Sequence, residues 1–562
     1  MLRLFESNKI RHIRELEGDW DFQPVAAEER LPSVYNFRLP VPGCWEMHPQ
    51  FSTYQGKGIY RTFVNVEKLT ALRLVFKGVS HTGEVYLDGV KVGEHYNAYT
   101  PFDVIVTAVE PGDHELAVIV DNSFNSSSAL HVPNDYYTYG GLIRPVAVES
   151  IPDTFIERIE FVPLVSNDNL WAAEIVAHVK NIGRTEQSLH LVGRLADSVL
   201  NLGNKVVKPG ETVVFTLKQT IPDVIAWSSL HPQLYMLELQ LRLNGDTTPI
   251  DDLIERVGFR SITTEASRIQ INGENIIVKG FNRHEDHALA GVAIPYSLMV
   301  HDLELMLDMG ANAVRTSHYP NDERFLDLCD ERGIYIWEEN HARGLSIEQM
   351  RHPLFEKQCE DCNREMVQSH FNHPSIIMWA ILNECASDVP EGKEMYRTQL
   401  SQIRSMDASR PLTFASDKRE RELCFELADI VSFNLYPLWY GEEDPGELME
   451  QARLWADAAG GLGKPMIMSE FGADGYYGLR DQSRVKGTEE RQCDILERNL
   501  RAYTSSPLLS GMLIWQFCDC RVTEGNGWLL SRAGTQNSKG VVDRYRRPKL
   551  AYSTVKQYFN KN

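Results

Sequence analysis

The sequence predicts a multidomain α/β and β protein in which two β-sandwiches precede a C-terminal (β/α)8 TIM barrel. Three observations predict it. The chain has 562 residues, too many for one hydrophobic core when domains run to about 150 residues each. Its first half reads as short stretches of alternating apolar and polar residues between Gly, Pro and Asp turns, the pattern of half-buried strands. After Ile262 apolar runs alternate with amphipathic helical segments, the pattern of successive βα units.

Residues 1–152 contain LRLVFKGV (72–79), EVYLDG (84–89) and HELAVIV (114–120), and read as an all-β sandwich. Residues 153–262 continue the style with AAEIVAHVKN, SLHLVGRLA, ETVVFTLKQ and LYMLELQLRL, and a span of about 100 residues suits an immunoglobulin-like sandwich. Residues 263–562 open on a hairpin signal at Asn272-Gly273 and then offer strand candidates at 276–280, 312–315, 334–339, 376–384, 412–416, 430–434, 466–470 and 512–517. Between the second and third, Asn321 is placed to cap the helical run DERFLDLCDER and Gly333 to end it.

Composition narrows the function. A formal net charge of -21 repels nucleic acid and anionic membrane, so neither is expected as a partner. The nine cysteines are scattered without the paired spacing of a zinc site and read as free thiols. Residues 1–17 hold no apolar core of a signal peptide, and no run approaches the roughly 18 apolar residues of a membrane span, which points to the cytoplasm. No cluster demands a metal or cofactor.

The fourth strand candidate, IIMWAILNE, is apolar enough to be buried on both faces, yet it ends in Asn383 and Glu384. An unpaired buried carboxylate costs several kcal/mol, so this residue belongs at an open strand end or does chemistry. Barrel strands point their C-terminal ends at the face where active sites are built. The seventh candidate, MIMSE, ends there too, in Glu470. Ends four and seven face each other across the mouth, and two carboxylates about 5 to 5.5 Å apart are the apparatus of a retaining glycosidase. The acid of such a pair needs a raised pKa, and the nucleophile needs donors; Tyr436, His318 and Arg315 lie at neighbouring strand ends.

Longer motifs identify a family. EGDWDF (17–22), PGCWE (42–46), GIYRTF (58–63), NAYTPFDV (97–104) and YYTYGGLIRPV (136–146) stand in the first sandwich; KGFNRHED (279–286), MVHDLELMLDMGANAVRTSHYP (299–320) and HPSIIMWAILNE (373–384) stand in the barrel. Over nearly its full length the chain resembles glycoside hydrolase family 2, most closely the β-glucuronidase branch. The resemblance implies a jelly-roll sugar-binding domain at the N-terminus and an exo-acting retaining mechanism on a small carbohydrate, without cofactor. It also implies a homo-oligomer, dimer or tetramer.

Carried over by position, the resemblance makes Glu384 the general acid/base, Glu470 the nucleophile and Asn383 the holder of the 2-hydroxyl. Tyr436 matches a tyrosine beside the nucleophile, Tyr440 and Trp515 match pocket aromatics, and Asp135 matches an acid that the first domain inserts toward the far hydroxyls. Asn537 and Lys539, in NSK, resemble the feature that glucuronidases direct at the substrate carboxylate. On an extended segment these two side chains point the same way and can grip one anion.

Three departures from the family pattern qualify the expectation of a β-glucuronidase. Cys385 replaces the usual Pro after the acid/base. EENHARGL (338–345) puts His341 and Arg343 where small residues are usual. An Arg343 beside the pocket suits an axial 4-hydroxyl, hence a β-galacturonide, unless it pairs with Glu338 or Glu339. The connection after Gly344 is short, which implies an open mouth and saccharide leaving groups. A neutral-sugar β-galactosidase and a catalytically inactive carbohydrate-binding protein complete the alternatives.

Overall fold

The computed structural model describes residues 2–26, 31–165, 170–524 and 532–561. The first sandwich packs a six-stranded sheet, built around Lys57–Val66 and Gly112–Asp121, on a four-stranded sheet centred on Thr70–Phe76 and Val146–Ile151. Between them lie Trp20, Phe22, Trp45, Tyr60, Leu74 and Phe76. The second sandwich sets three strands against four, and the alternation that marked it is literal: in Trp171–Asn181, Ala173, Ile175, Ala177 and Val179 are all fully buried while their neighbours are not. Burying such side chains is worth roughly 1.5–3 kcal/mol for each large one.

The hairpin at Asn272-Gly273 joins Arg268–Ile271 to Glu274–Ile276, with both turn residues at positive φ (55° and 82°) as a tight turn between twisted strands requires. The barrel follows. Its strands are β1 Val278–Asn282, β2 Ala313–Arg315, β3 Tyr335–Glu339, β4 Ile376–Ala380, β5 Leu412–Thr413 with Ala415–Ser416, β6 Val431–Asn434, β7 Met466–Phe471 and β8 Gly511–Ile514. Each pairs in parallel with the next, and β8 returns to β1. β5 closes the ring in two pieces: Leu412 and Thr413 pair with β4, Ala415 and Ser416 with β6, and Phe414 between them buries its ring among Tyr396 and Phe425.

Two expectations are corrected. β4 ends at Ala380, four residues before Glu384; Leu382 and Glu384 adopt φ of 48° and 52°, so the continuous ladder stops there and pairing resumes as a single parallel bridge between Asn383 and Arg343. The helix Glu323–Arg332 is capped by the Asp322 carboxylate, which accepts from the Arg324 N–H, while the Asn321 side chain accepts from Arg283 instead. Gly333, at φ 69°, does end that helix.

The loop 131–139 of the first sandwich lies against the C-terminal face of the barrel. Tyr99 stacks on Tyr319 at 3.8 Å, Tyr136 Oη meets His341 Nε2 at 3.0 Å, and Arg144 donates to Glu285 at 2.8 Å. His341, unexpected in the sequence pattern, thus anchors one sandwich to the end of β3. These contacts fix Asp135 at the mouth of the barrel.

Candidate active site

Arg315, the last residue of β2, organises the floor of the site. It is fully buried, and its guanidinium donates to Glu339 twice (2.8 and 3.0 Å), to Asn282 Oδ1 (2.7 Å), to Asn383 Oδ1 (2.7 Å) and to Glu470 Oε1 (2.7 Å). A planar fork with five donors is the group that can serve so many oxygens at once. Glu470, near the end of β7, receives a second bond on its other oxygen from Tyr436 Oη at 2.7 Å. His318 Nδ1 lies 2.8 Å from Glu339, its Nε2 4.0 Å from Glu470, and its ring stacks on Trp515 at 5.0 Å.

Glu384 reaches the same cavity from the turn after β4. Asn434 Nδ2, at the end of β6, donates to its Oε1 at 2.8 Å, and Arg343 Nη2 lies 3.4 Å from its Oε2. The cavity is about 270 Å³ and is lined by Asp135, Arg343, Glu384, Tyr436, Tyr440, Glu470, Trp515 and Lys539 among the residues singled out from the sequence. Asn383 and His318 sit just behind this lining, fully buried, and among the described residues the Asn383 amide nitrogen has no protein partner.

Burial pushes the Glu470 carboxyl upward, the Arg315 guanidinium pulls it back, and the Glu384 charge pushes again, leaving it up at about 7, so the raised carboxyl is the one expected to be the nucleophile and not the acid. Tyr436 is driven well above the usual phenol range by burial and by Glu470, so it stays a donor. Burial and the charges of Arg315 and Arg343 hold His318 well below its ordinary value, which keeps the ring neutral.

The Asn537–Lys539 pair differs in detail from the expectation of two side chains waiting for one anion. Asn537 Nδ2 donates to Asp135 Oδ2 at 2.9 Å, and Lys539 Nζ lies 3.2 Å from Asp474 Oδ2 beneath the rings of Trp439 and Tyr440. Arg532 clasps Asp135 from the other side, Nε to Oδ1 at 2.9 Å, and approaches Asp474 at 3.7 Å. Two cations and two acids therefore interlock at this end of the cavity. Arg343 pairs with neither Glu338 nor Glu339: those accept from His370 and Arg315, and Arg343 instead meets Glu384 and Asn134.

Sequence reasoning missed Asn434, Asp474, Arg532, Asp417 and Arg419 as site residues. Asn434 and Asp474 carried a usable signal, since one ends a barrel strand and the other follows Glu470 by four residues. Arg532 lies in no motif. Among the described residues, one group outside the site has the composition of a metal centre, Asp327, Asp330 and His373. Arg3 donates to both Asp327 oxygens (3.0 and 2.9 Å) and His373 Nδ1 lies 2.6 Å from Asp330, so the group is occupied as an ion-pair network. No helix among the described residues is long and apolar enough to cross a membrane.

A barrel with two carboxylates in one saccharide-sized cavity, roofed by a β-sandwich loop, defines a glycoside hydrolase. Residues 262–562 match the TIM barrel domain of glycosyl hydrolases family 2, and residues 13–152 match that family's sugar binding domain. The chain belongs to glycosyl hydrolase family 2. A solved β-galacturonidase of the family from Eisenbergiella tayi is 43% identical, with a TM-score of 0.96 over 100% of this chain and 98% of that one. The β-glucuronidase of Streptococcus agalactiae is 29% identical over 98% of both chains, and the human β-glucuronidase 28% identical over 99% of this chain and 92% of its own.

Proposed function

We propose that the chain is a retaining exo-β-hexuronidase acting on terminal β-D-galacturonides ahead of β-D-glucuronides. The observation that carries the reading is Lys539: a buried ammonium facing a cavity that also holds Glu384 and Glu470. The Eisenbergiella tayi relative is described as a β-galacturonidase, and one of its structures is bound to galacturonate. Arg343, set between Asn134 and Glu384, supplies the donor that an axial 4-hydroxyl would use.

In this reading Glu470 attacks the anomeric carbon while Glu384 gives a proton to the departing oxygen, and a covalent glycosyl-enzyme forms. Water then enters, Glu384 takes its proton, and the sugar leaves with its configuration retained. Tyr436 and Arg315 orient the nucleophile, Asn383 takes the 2-hydroxyl, and Trp515 forms the sugar platform over His318. The short connection after Gly344 leaves room for saccharide leaving groups.

One observation favours a neutral-sugar β-galactosidase as the second reading. The cavity lining holds Arg343, Arg419, Arg532 and Lys539 against Asp135, Glu384, Asp417 and Glu470, a formal balance without surplus positive charge. Rates on aryl β-galacturonide, β-glucuronide and β-galactoside decide between the readings. Lys539→Ala should slow only the acidic sugars; wild-type preference for the galactoside would overturn the proposal.

A further inference from the structure

Glu384 is a non-glycine residue at φ 52°, in the left-handed region that L-residues seldom occupy unless their surroundings hold them there. Its surroundings come from the end of β5. The Glu384 N–H donates to the Ala415 carbonyl at 2.9 Å, and the Lys418 ammonium donates to the Glu384 carbonyl at 3.1 Å. Lys418 is in turn fixed: its Nζ lies 2.7 Å from Asp417 Oδ1, and its own N–H donates to Ser416 Oγ at 3.1 Å. Both backbone polar groups of the residue are therefore gripped by four consecutive residues, 415 to 418.

A lysine side chain that is only 14% exposed and spends a donor on a main-chain carbonyl forgoes much hydration, and that carbonyl belongs to Glu384 itself. The adjacent Asp417 cancels its charge, so the clamp adds no net cation beside the carboxyl. The groups facing Glu384 from the surrounding elements are Arg343, Asn434, Asp417, Lys418, Tyr436 and Glu470. Of these, only Lys418 bonds to the Glu384 main chain among the described residues.

We propose that Lys418, steadied by Asp417, is a positioning residue that locks the left-handed backbone of Glu384 and so aims its carboxyl at the leaving-group oxygen. The proposal rests on the reading of Glu384 as the acid/base. Without the ammonium the turn relaxes toward ordinary φ and swings the carboxyl away from the oxygen it must protonate. Loss of aim matters where protonation matters: for poor leaving groups, and hardly for good ones.

The test is kcat/KM, which reports the glycosylation step, across a series of aryl β-hexuronides from phenyl to dinitrophenyl. Lys418→Met should lose about 100-fold on the phenyl substrate and no more than about threefold on the dinitrophenyl one, the scale of general-acid assistance. Lys418→Arg, which keeps a donor near both oxygens, should recover most of the loss, and Asp417→Asn should show the same leaving-group dependence more weakly. Should the Met variant fail to fold, the Arg and Asn variants carry the test. An equal loss on every leaving group, or none, overturns the assignment. If the wild type turns over no hexuronide, the substrate reading fails instead, and the same series on β-galactosides tests the clamp alone.

Discussion

Arg315 Nη1 and Glu470 Oε1 lie 2.7 Å apart, and the same guanidinium also holds Asn383, so one buried cation from β2 fixes groups delivered by the turn after β4 and by β7. The pair sets both the geometry and the charge of the proposed nucleophile. Arg315→Gln removes the positive charge that opposes burial, so Glu470 titrates above about 7 in the variant. The acid limb of kcat/KM should move to higher pH, and a pH–rate profile measures it. The variant should also be destabilised by roughly 3–5 kcal/mol, the cost of stranding buried carboxylates, which a urea titration reads.

Glu470 makes the wild type pH-dependent in two ways. Its folded pKa is raised from 4.5 to about 7, and attack on the sugar needs the ionised form, so kcat/KM should fall as pH drops below about 7. Stability runs the opposite way. A raised carboxyl contributes stability that is complete below the unfolded value and is lost as pH rises through the folded one. The difference, about 3 kcal/mol, should separate wild type from Glu470→Gln between pH 5 and pH 8. The Gln variant should be inactive and gain on the wild type as pH rises. Chemical denaturation at both pH values gives the comparison.

Arg343 touches Glu384 and Asn134 and no other acid among those the sequence offered it. Arg343→Ala should cost about 10-fold or more in kcat/KM on β-galacturonide, from loss of one charged hydrogen bond, and less on β-glucuronide. A parallel loss on both sugars would assign Arg343 to Glu384 rather than to the 4-hydroxyl.

Lys539 sits between Asp474 and the rings of Trp439 and Tyr440, so a substrate carboxylate must share it with Asp474. Lys539→Ala should lower kcat/KM on uronides by about 10- to 100-fold, since a charged hydrogen bond contributes roughly 1.5–3 kcal/mol, and leave galactoside rates unchanged. High salt should weaken uronide binding little, because the ammonium is fully buried.

The sequence by itself determined the layers of the fold and the pair of carboxylates. Strand and helix periods are local, and an apolar run as short as IIMWA, set between helical segments, reads as a buried strand by its length. Glu384 and Glu470 were legible because motifs place them just past the end of β4 and within the end of β7, and Lys539 because NSK resembles a feature of the family. Tertiary structure alone decided where β4 stops, which of two neighbours each half of β5 joins, and whom Arg343 pairs with. It also decided that Asp135, 402 residues from Asn537 in the chain, shares a hydrogen bond with it, and that Lys418 grips Glu384. Those choices depend on which groups meet through space in a closed ring, and no periodicity along the chain records that meeting.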